Sequence, residues 1–311
     1  MPTLSIILPF HNEAEGVRNL FQRLYPVLGG LGLTYEIICI DDGSQDKTYG
    51  ALCHEREMDQ RVKIIKMARN FGKEAALTCG LDVASGDAAI TMDSDLQHPP
   101  EVITDLVAKW REGVDLVYAI RSNRKTDSYL RRLLSRAFYA VFKAIADIQM
   151  PEGAGDYCLL DRKVINAIKQ LPERNRFMKG LVAWVGFTRG MVNFDVQPRQ
   201  GGTSHWNLFR LVRFAFDGLT AFSTFPLRIW TWCGALISIL TFSYGIYLTV
   251  RTLISGVDVP GYASLMVGML FLGGVQLLSL GILGEYMGRI FSEVKRRPLY
   301  LISEQSGFNK E

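Results

Sequence analysis

The chain has 311 residues, 48% of them apolar, and a formal net charge of +4. That length exceeds one ordinary domain, and so mild a charge gives no electrostatic footprint for nucleic acid, so no such partner is expected. Five cysteines (Cys39, Cys53, Cys79, Cys158, Cys233) and four histidines are scattered without metal-ligand or redox spacing, which speaks against a zinc site and for reduced core thiols.

Met1–Phe10 enters a strand-like segment with no basic leader or cleavage site, so the N-terminal part is expected to stay in the cytoplasm. Through the first 120 residues, apolar runs bounded by turn signals alternate with helical patterns. Strands are predicted at Leu4–Phe10, Tyr35–Ile40, Val62–Ala68, Asp87–Met92 and Asp115–Ile120. Helices are predicted near Glu13–Leu28, Asp46–Asp59, Lys73–Ala84 and Pro100–Glu112. The last opens on proline, where the first N–H groups of a helix lack intrahelical partners anyway. This alternation predicts an α/β fold, a mainly parallel sheet with helices on both faces.

Ligands of such sheets bind beyond the carboxyl ends of the strands. There the first four strands run into Pro9-Phe10-His11-Asn12-Glu13, Asp41-Asp42-Gly43-Ser44, Arg69-Asn70-Phe71-Gly72-Lys73 and Asp93-Ser94-Asp95-Leu96-Gln97-His98. Four polar clusters on one edge predict a binding crevice. No G-x-G-x-x-G follows the first strand and no G-x-x-x-x-G-K-[ST] occurs, which disfavours a dinucleotide fold and a P-loop. Residues 151–206 mix short strands, helices and Gly-rich turns, and are expected to complete the same domain.

Trp206–Leu227 carries Leu208, Leu211, Val212, Ala215, Leu219 and Phe222 near helical spacing among further aromatics. Such a helix either lies in the headgroup plane of a bilayer or packs on the preceding domain. Pro226 is expected to break the chain there and to start the first span. Two long apolar stretches follow, Ile229–Thr252 and Ala263–Ile290. Each meets the roughly 20 residues needed to cross a bilayer's hydrocarbon core, and neither has the polar stripe of a buried globular helix. Arg228 precedes the first span, and Lys295, Arg296 and Arg297 follow the second, so both termini are expected in the cytosol. Gly268, Gly273, Gly274, Gly281, Gly284 and Gly288 permit close helix approach, within a hairpin or in a homo-oligomer.

Asp93 and Asp95 end a buried strand within reach of one another. They suit a hard divalent cation completed by phosphate oxygens and water, or a cap for the helix at Pro99. Asp41 and Asp42 suit ribose hydroxyls or a base edge, or an Asx turn closed by Gly43 and Ser44. Arg69 and Lys73 place positive charge near a diphosphate. Arg121, Arg124, Lys125, Arg131, Arg132 and Arg136 face a single Asp127, as a solvated helix face or an anion site.

The run Ser5–Glu13, then Asp41-Asp42-Gly43-Ser44, then Asp93-Ser94-Asp95-Leu96-Gln97 resembles family 2 glycosyltransferases of the GT-A fold. Gly155-Asp156-Tyr157, Leu160-Asp161-Arg162 and two terminal spans narrow the resemblance to polyprenyl-phosphate glycosyltransferases, the group of bactoprenol glucosyltransferases (GtrB type) and dolichyl-phosphate mannose synthases. Two spans favour the bacterial glucosyltransferase branch. The resemblance implies a nucleotide-sugar donor, UDP-glucose first, with Mg2+ or Mn2+ and a polyprenyl phosphate acceptor such as undecaprenyl phosphate. By position, Pro9, Asn12, Glu13, Asp41 and Asp42 hold the nucleotide, and Arg69 and Lys73 lie near the diphosphate. Asp93 and Asp95 hold metal and donor phosphates, with Gln97 in support. Asp156 stands where a family base sits, reading first as an orienting group and second as a base. Arg121, Arg131, Ser135 and Arg136 are candidates for the acceptor phosphate, with Arg199 and Ser204. The last two lie in Arg199–Trp206, which resembles the family's G-x-S-K-[YF] loop with His205 in place of lysine.

The expected organisation is a glycosyltransferase domain over 1–205, a juxtamembrane helix over 206–227, spans over 228–252 and 263–290, and a cytoplasmic tail over 291–311, in a bacterial inner membrane. Alternatives are a mannose synthase using GDP-mannose and a catalytically silent membrane adaptor. A processive synthase is disfavoured because Q-x-x-R-W is absent, and a transporter because the spans carry almost no ionisable residue.

Overall fold

The computed structural model describes residues 3–121, 154–174, 176–195, 225–255 and 261–308. The expectations placed on Arg131, Ser135, Arg136, Arg199, Ser204 and most of 206–227 lie outside these residues. The chain forms two compact units, one of Met1–Gly218 with Arg297–Glu311 and one of Leu219–Arg296.

In the first unit, β1 (Leu4–Phe10), β2 (Tyr35–Asp41), β3 (Val62–Met67) and β4 (Ala88–Thr91) alternate with α1 (Ala14–Gly30), α2 (Thr48–Met58) and α3 (Lys73–Val83). A 3-10 turn at Pro100–Val102 leads into α4 (Ile103–Arg111) and then β5 (Leu116–Arg121). Beyond it lie β6 (Ala154–Asp161), α5 (Arg162–Gln170), α6 (Met178–Trp184) and β7 (Arg189–Phe194). All nine elements predicted up to residue 120 are present, their ends moved by a few residues, as fraying ends allow. The exception in type is Pro100–Val102, where 3-10 pairing replaces the predicted first helical turn.

The sheet has eight strands in the order β7-β5-β6-β4-β1-β2-β3-β8. β1 pairs in parallel with β2 and β4, β2 with β3, and β5 with β7. β6 runs antiparallel between β4 and β5, and β8 (Ile302–Ser306) antiparallel on the edge of β3. The sheet is therefore mixed, more so than the sequence predicts. The expected tail is also more than a tail: after residue 297 the chain returns to the first unit and extends its sheet.

Period-2 alternation explains why both faces are covered. Ile6, Leu8, Ile37 and Cys39 face the core formed with Val17, Phe21 and Leu24 of α1, Leu52 of α2 and Leu106 of α4. Their neighbours Ile7, Ile38 and Ile40 face the opposite core, with Leu77 of α3, Ile165 of α5 and Val182 of α6. All five cysteines are unpaired, and Cys39, Cys79 and Cys158 are buried. Gly80 lets α3 approach β1, since a Cβ there would stand 2.3 Å from Cγ2 of Ile7.

The resemblance motif Leu160-Asp161-Arg162 proves architectural. Asp161 caps α5 through the Lys163 N–H and accepts the Trp110 indole N–H at 2.7 Å. The Arg162 guanidinium donates to the carbonyls of Ala84 and Gly86, fixing the turn into β4.

The second unit consists of α7 (Phe225–Ser255) and α8 (Tyr262–Lys295), helices of 31 and 34 residues in contact with each other. Pro226 lies in the first turn of α7 and so starts this helix, as expected; its missing N–H costs no hydrogen bond there. Among the described residues, no helix is long and apolar enough to cross a membrane. Large apolar side chains on both are exposed, among them Trp232, Leu236, Leu253, Phe271, Leu277 and Met287.

Candidate active site

The loops after β1, β2 and β3 meet in one polar constellation. Asp42 is buried, and its carboxylate accepts the backbone N–H groups of Phe71 at 2.7 Å and Gly72 at 2.9 Å. It therefore clamps the β3–α3 loop to the end of β2. Gly43 makes this approach possible: its φ is +65°, and a Cβ would lie 2.4 Å from the carbonyl carbon of Arg69, a backbone contact that cannot yield. Asp41 is buried beside it, with Oδ1 accepting the Ser44 N–H at 3.1 Å.

His11 joins the loops. Its Nδ1 lies 2.9 Å from the Asp42 carbonyl, so this nitrogen carries the proton, and its Nε2 accepts from the amides of Asn70 at 3.0 Å and Asn12 at 3.2 Å. Asn12, at φ +54°, accepts the Gln45 N–H through Oδ1 at 2.9 Å, and the Glu13 N–H donates to the Thr48 hydroxyl at 2.9 Å. Pro9 pairs with Ile40 in the strands below. The Arg69 guanidinium lies 4.3 Å over the Phe71 ring. Together these loops bound a cleft of about 630 Å³ lined by His11, Asn12, Gly43, Ser44, Gln45, Lys66–Asn70, Ser303 and Glu304. That size lies in the range of small-molecule sites.

A second, ionic constellation lies at the ends of β4 and α3. Lys73 bridges two carboxylates, Asp93 Oδ1 at 2.5 Å and Asp156 Oδ2 at 2.6 Å, and Lys179 of α6 stands 3.8 Å from Asp156. Burial works against the Lys73 ammonium, but Asp93 and Asp156 outweigh it and hold it above the ordinary lysine range. Burial pushes Asp93 up and Lys73 overrides it, holding the carboxyl well below the usual range. Asp156 is likewise lowered, with Lys179 and Lys73 overcoming burial. Its Oδ1 has no hydrogen-bond partner among the described residues, nor does the Tyr118 hydroxyl, and both residues line one cavity of about 10 Å³.

Asp95 Oδ1 accepts the Gln97 N–H at 3.0 Å, so the backbone of Gln97, rather than its amide, shapes the D-x-D turn. His98 is buried below, stacked on Tyr157 with centroids 5.0 Å apart. Its Nδ1 accepts the Asp93 backbone N–H at 3.2 Å and so carries no proton, consistent with burial lowering the imidazole's affinity for a second one. The 3.8 Å approach to Asp93 Oδ2 is thus not a charged pair. Asp93 and Asp95 offer oxygen donors only, and among the described residues no group of three or more His, Cys, Asp or Glu converges. That donor set fits Mg2+ or Mn2+ sharing its shell with phosphate and water, and does not fit zinc.

The structure brings Pro9, Asn12, Glu13, Asp41, Asp42 and Arg69 to the first constellation, and Lys73, Asp93, Asp95, Gln97 and Asp156 to the second. Lys73 lies between the two carboxylates. Arg121 ends β5 as an exposed residue. Sequence reasoning missed Lys179, His98 and Glu74; only for His98 did the sequence carry a signal, its place at the end of the D-x-D cluster.

Glu74 completes the ionic cluster, accepting the Met178 N–H at 2.9 Å. Burial, and then the Asp156 charge, raise its carboxyl from 4.5 to about 7. An unfolded chain therefore ionises this group before the folded one does, and the wild type loses stability as pH rises from about 4.5 through 7. Glu74→Gln keeps the acceptor and removes the titration. Unfolding midpoints of the two proteins should coincide near pH 4 and diverge through neutrality, with the variant more stable by about 1–3 kcal/mol at pH 8. An unchanged difference between pH 4 and pH 8 would refute the raised value.

Comparison with known proteins finds relatives along the whole chain. The signature of "Glycosyl transferase family 2" matches residues 5–169, and that of the "GtrB C-terminal hairpin" matches residues 225–290. An uncharacterized glycosyltransferase of Synechocystis sp. is 52% identical over 98% of this chain and 96% of its own. A prophage-derived bactoprenol glucosyl transferase of Shigella flexneri is 44% identical over 97% of both chains. A prophage bactoprenol glucosyl transferase homolog of Escherichia coli is 42% identical over 96% of this chain and 98% of its own.

Proposed function

The chain belongs to glycosyl transferase family 2, and from that premise we propose that it transfers glucose from UDP-glucose to a polyprenyl phosphate at a membrane. The observation that carries this reading is the likeness to bactoprenol glucosyl transferases along the whole chain, through donor site and hairpin alike.

The donor's nucleoside sits in the cleft of His11, Asn12, Ser44 and Arg69, with buried Asp41 holding the Ser44 N–H from behind, and its diphosphate reaches toward Asp93 and Asp95. Those two carboxylates would hold Mg2+ or Mn2+, which when bound offsets the charge growing on the leaving diphosphate. Lys73 stands by to supply positive charge at the same place. The acceptor phosphate is largely a dianion near neutral pH and attacks the anomeric carbon opposite the departing nucleotide, inverting α to β. Asp156, its charge secured by Lys73 and Lys179, orients the acceptor and faces the positive charge developing on the sugar. Arg121 and, beyond the described residues, Arg131, Ser135, Arg136, Arg199 and Ser204 serve the acceptor phosphate.

The membrane part rests on α7 and α8, whose lengths exceed the roughly 20 residues of a span and whose exposed apolar side chains have no use in water. The chain leaves the catalytic unit after Gly218 and rejoins it at Arg297, which supports an even number of crossings. The basic residues flanking the hairpin support a catalytic unit and both termini on the cytosolic side of a bacterial plasma membrane. The α8 glycines suit close helix approach in a homo-oligomer.

The test is transfer of radiolabelled sugar to undecaprenyl phosphate by purified protein, with Mg2+, Mn2+ or EDTA. Mild-acid-labile glycolipid from UDP-glucose, abolished by EDTA, is the expected result. Product from GDP-mannose alone would move the chain to the mannose branch. No lipid product from either donor would leave a silent adaptor.

A further inference from the structure

The cleft assigned to the nucleoside has a wall that neither family signature covers. Its lining includes Ser303 and Glu304 of β8, whereas the matched regions end at residues 169 and 290. This wall is held at several points. β8 pairs antiparallel with β3, Lys66 opposite Glu304, and the Ala68 N–H donates to the Leu301 carbonyl at 2.9 Å. The Ser303 hydroxyl donates to the Lys66 carbonyl at 3.0 Å. Tyr300 and Phe308 pack against the sheet's hydrophobic face at either end, and the Tyr300 hydroxyl donates to Asp82 at 2.8 Å.

Glu304 itself is exposed and anchors nothing by burial. Its contacts are two polar ones, to the Lys66 ammonium at 3.2 Å and from the Tyr49 hydroxyl at 2.9 Å. The ammonium also lies 4.4 Å over the Tyr49 ring. A lysine at the mouth of a cleft ordinarily samples many rotamers; here a carboxylate and a ring hold it at the rim. Its ammonium, a donor only, then meets an acceptor-rich ligand such as a base carbonyl or ribose oxygen.

We propose that the C-terminal strand completes the nucleotide site, with Glu304 as a positioning residue that holds Lys66 against the nucleoside of the donor. This rests on the transferase reading. It gives the segment following the hairpin a part in donor binding, so the chain must re-enter its first domain before the donor site is whole.

The experiment measures UDP binding by calorimetry, and KM for the nucleotide sugar and for undecaprenyl phosphate, on the full-length protein. Glu304→Ala should weaken UDP binding by roughly 3- to 10-fold, the span of one hydrogen bond's net worth. KM for the sugar donor should rise in step, with kcat, KM for the lipid and the thermal midpoint unchanged, because the side chain is exposed. Glu304→Asp should recover part of the affinity, and Lys66→Ala combined with Glu304→Ala should be no worse than Lys66→Ala alone. UDP affinity within twofold of wild type in Glu304→Ala overturns the inference and leaves the transferase reading standing. A wild type that binds neither UDP nor GDP overturns both.

Discussion

Asp156→Asn lowers turnover by about 10²- to 10⁴-fold, the range in which one positioned catalytic group acts, while UDP affinity stays near wild type. The reason lies in which contacts the charge makes. Asp156 Oδ2 is the partner of Lys73 at 2.6 Å and the nearest acid to Lys179 at 3.8 Å. It lines none of the nucleotide cleft. An asparagine fills the same space but removes the anion that Lys73 and Lys179 share, at the place where the proposed transfer joins sugar and acceptor phosphate. Single-turnover rates with saturating UDP-glucose, beside UDP titration, separate the two effects. A variant turning over within tenfold of wild type would remove Asp156 from the site.

Asp42→Ala destabilises the first unit by about 2–4 kcal/mol, because two backbone N–H groups lose a charged acceptor together, and it also weakens UDP binding. The Phe71 and Gly72 N–H groups have the Asp42 carboxylate as their partner, and the loop they fix carries Arg69 and Asn70 into the cleft. Asp42→Asn retains one acceptor and should recover about half of the stability. Denaturation midpoints in detergent together with UDP affinity provide the check. Loss of affinity with an unchanged midpoint would return Asp42 to the role of a direct nucleotide ligand.

These two aspartates illustrate how sequence and structure divide the information. Asp41-Asp42 and Asp93-Ser94-Asp95 were legible because each follows an apolar run bounded by turn residues, and strand-helix alternation sends all such loops to one edge. Which carboxylate faces a ligand and which binds backbone was not legible, since Asp42 meets residues 29 and 30 positions away. Asp156 was placed by resemblance alone. Its neighbours Lys73 and Lys179 come from α3 and α6, and no spacing in the chain announces that they converge.

The same division governs the ends of the chain. Period-2 and period-3.6 patterns determined the strands and helices up to residue 120 and both faces of the core, and unbroken apolar length determined the two long helices, because each signal lies within a short window of sequence. Pairing partners carry no such local signature. The antiparallel insertion of β6 between β4 and β5, and the return of Ile302–Ser306 to the edge of β3, depend on backbone groups far apart in the chain finding one another. β8 is mostly exposed and polar, so hydrophobic patterning could not identify it. Only the tertiary structure decided that the last strand closes the cleft opened by the first three.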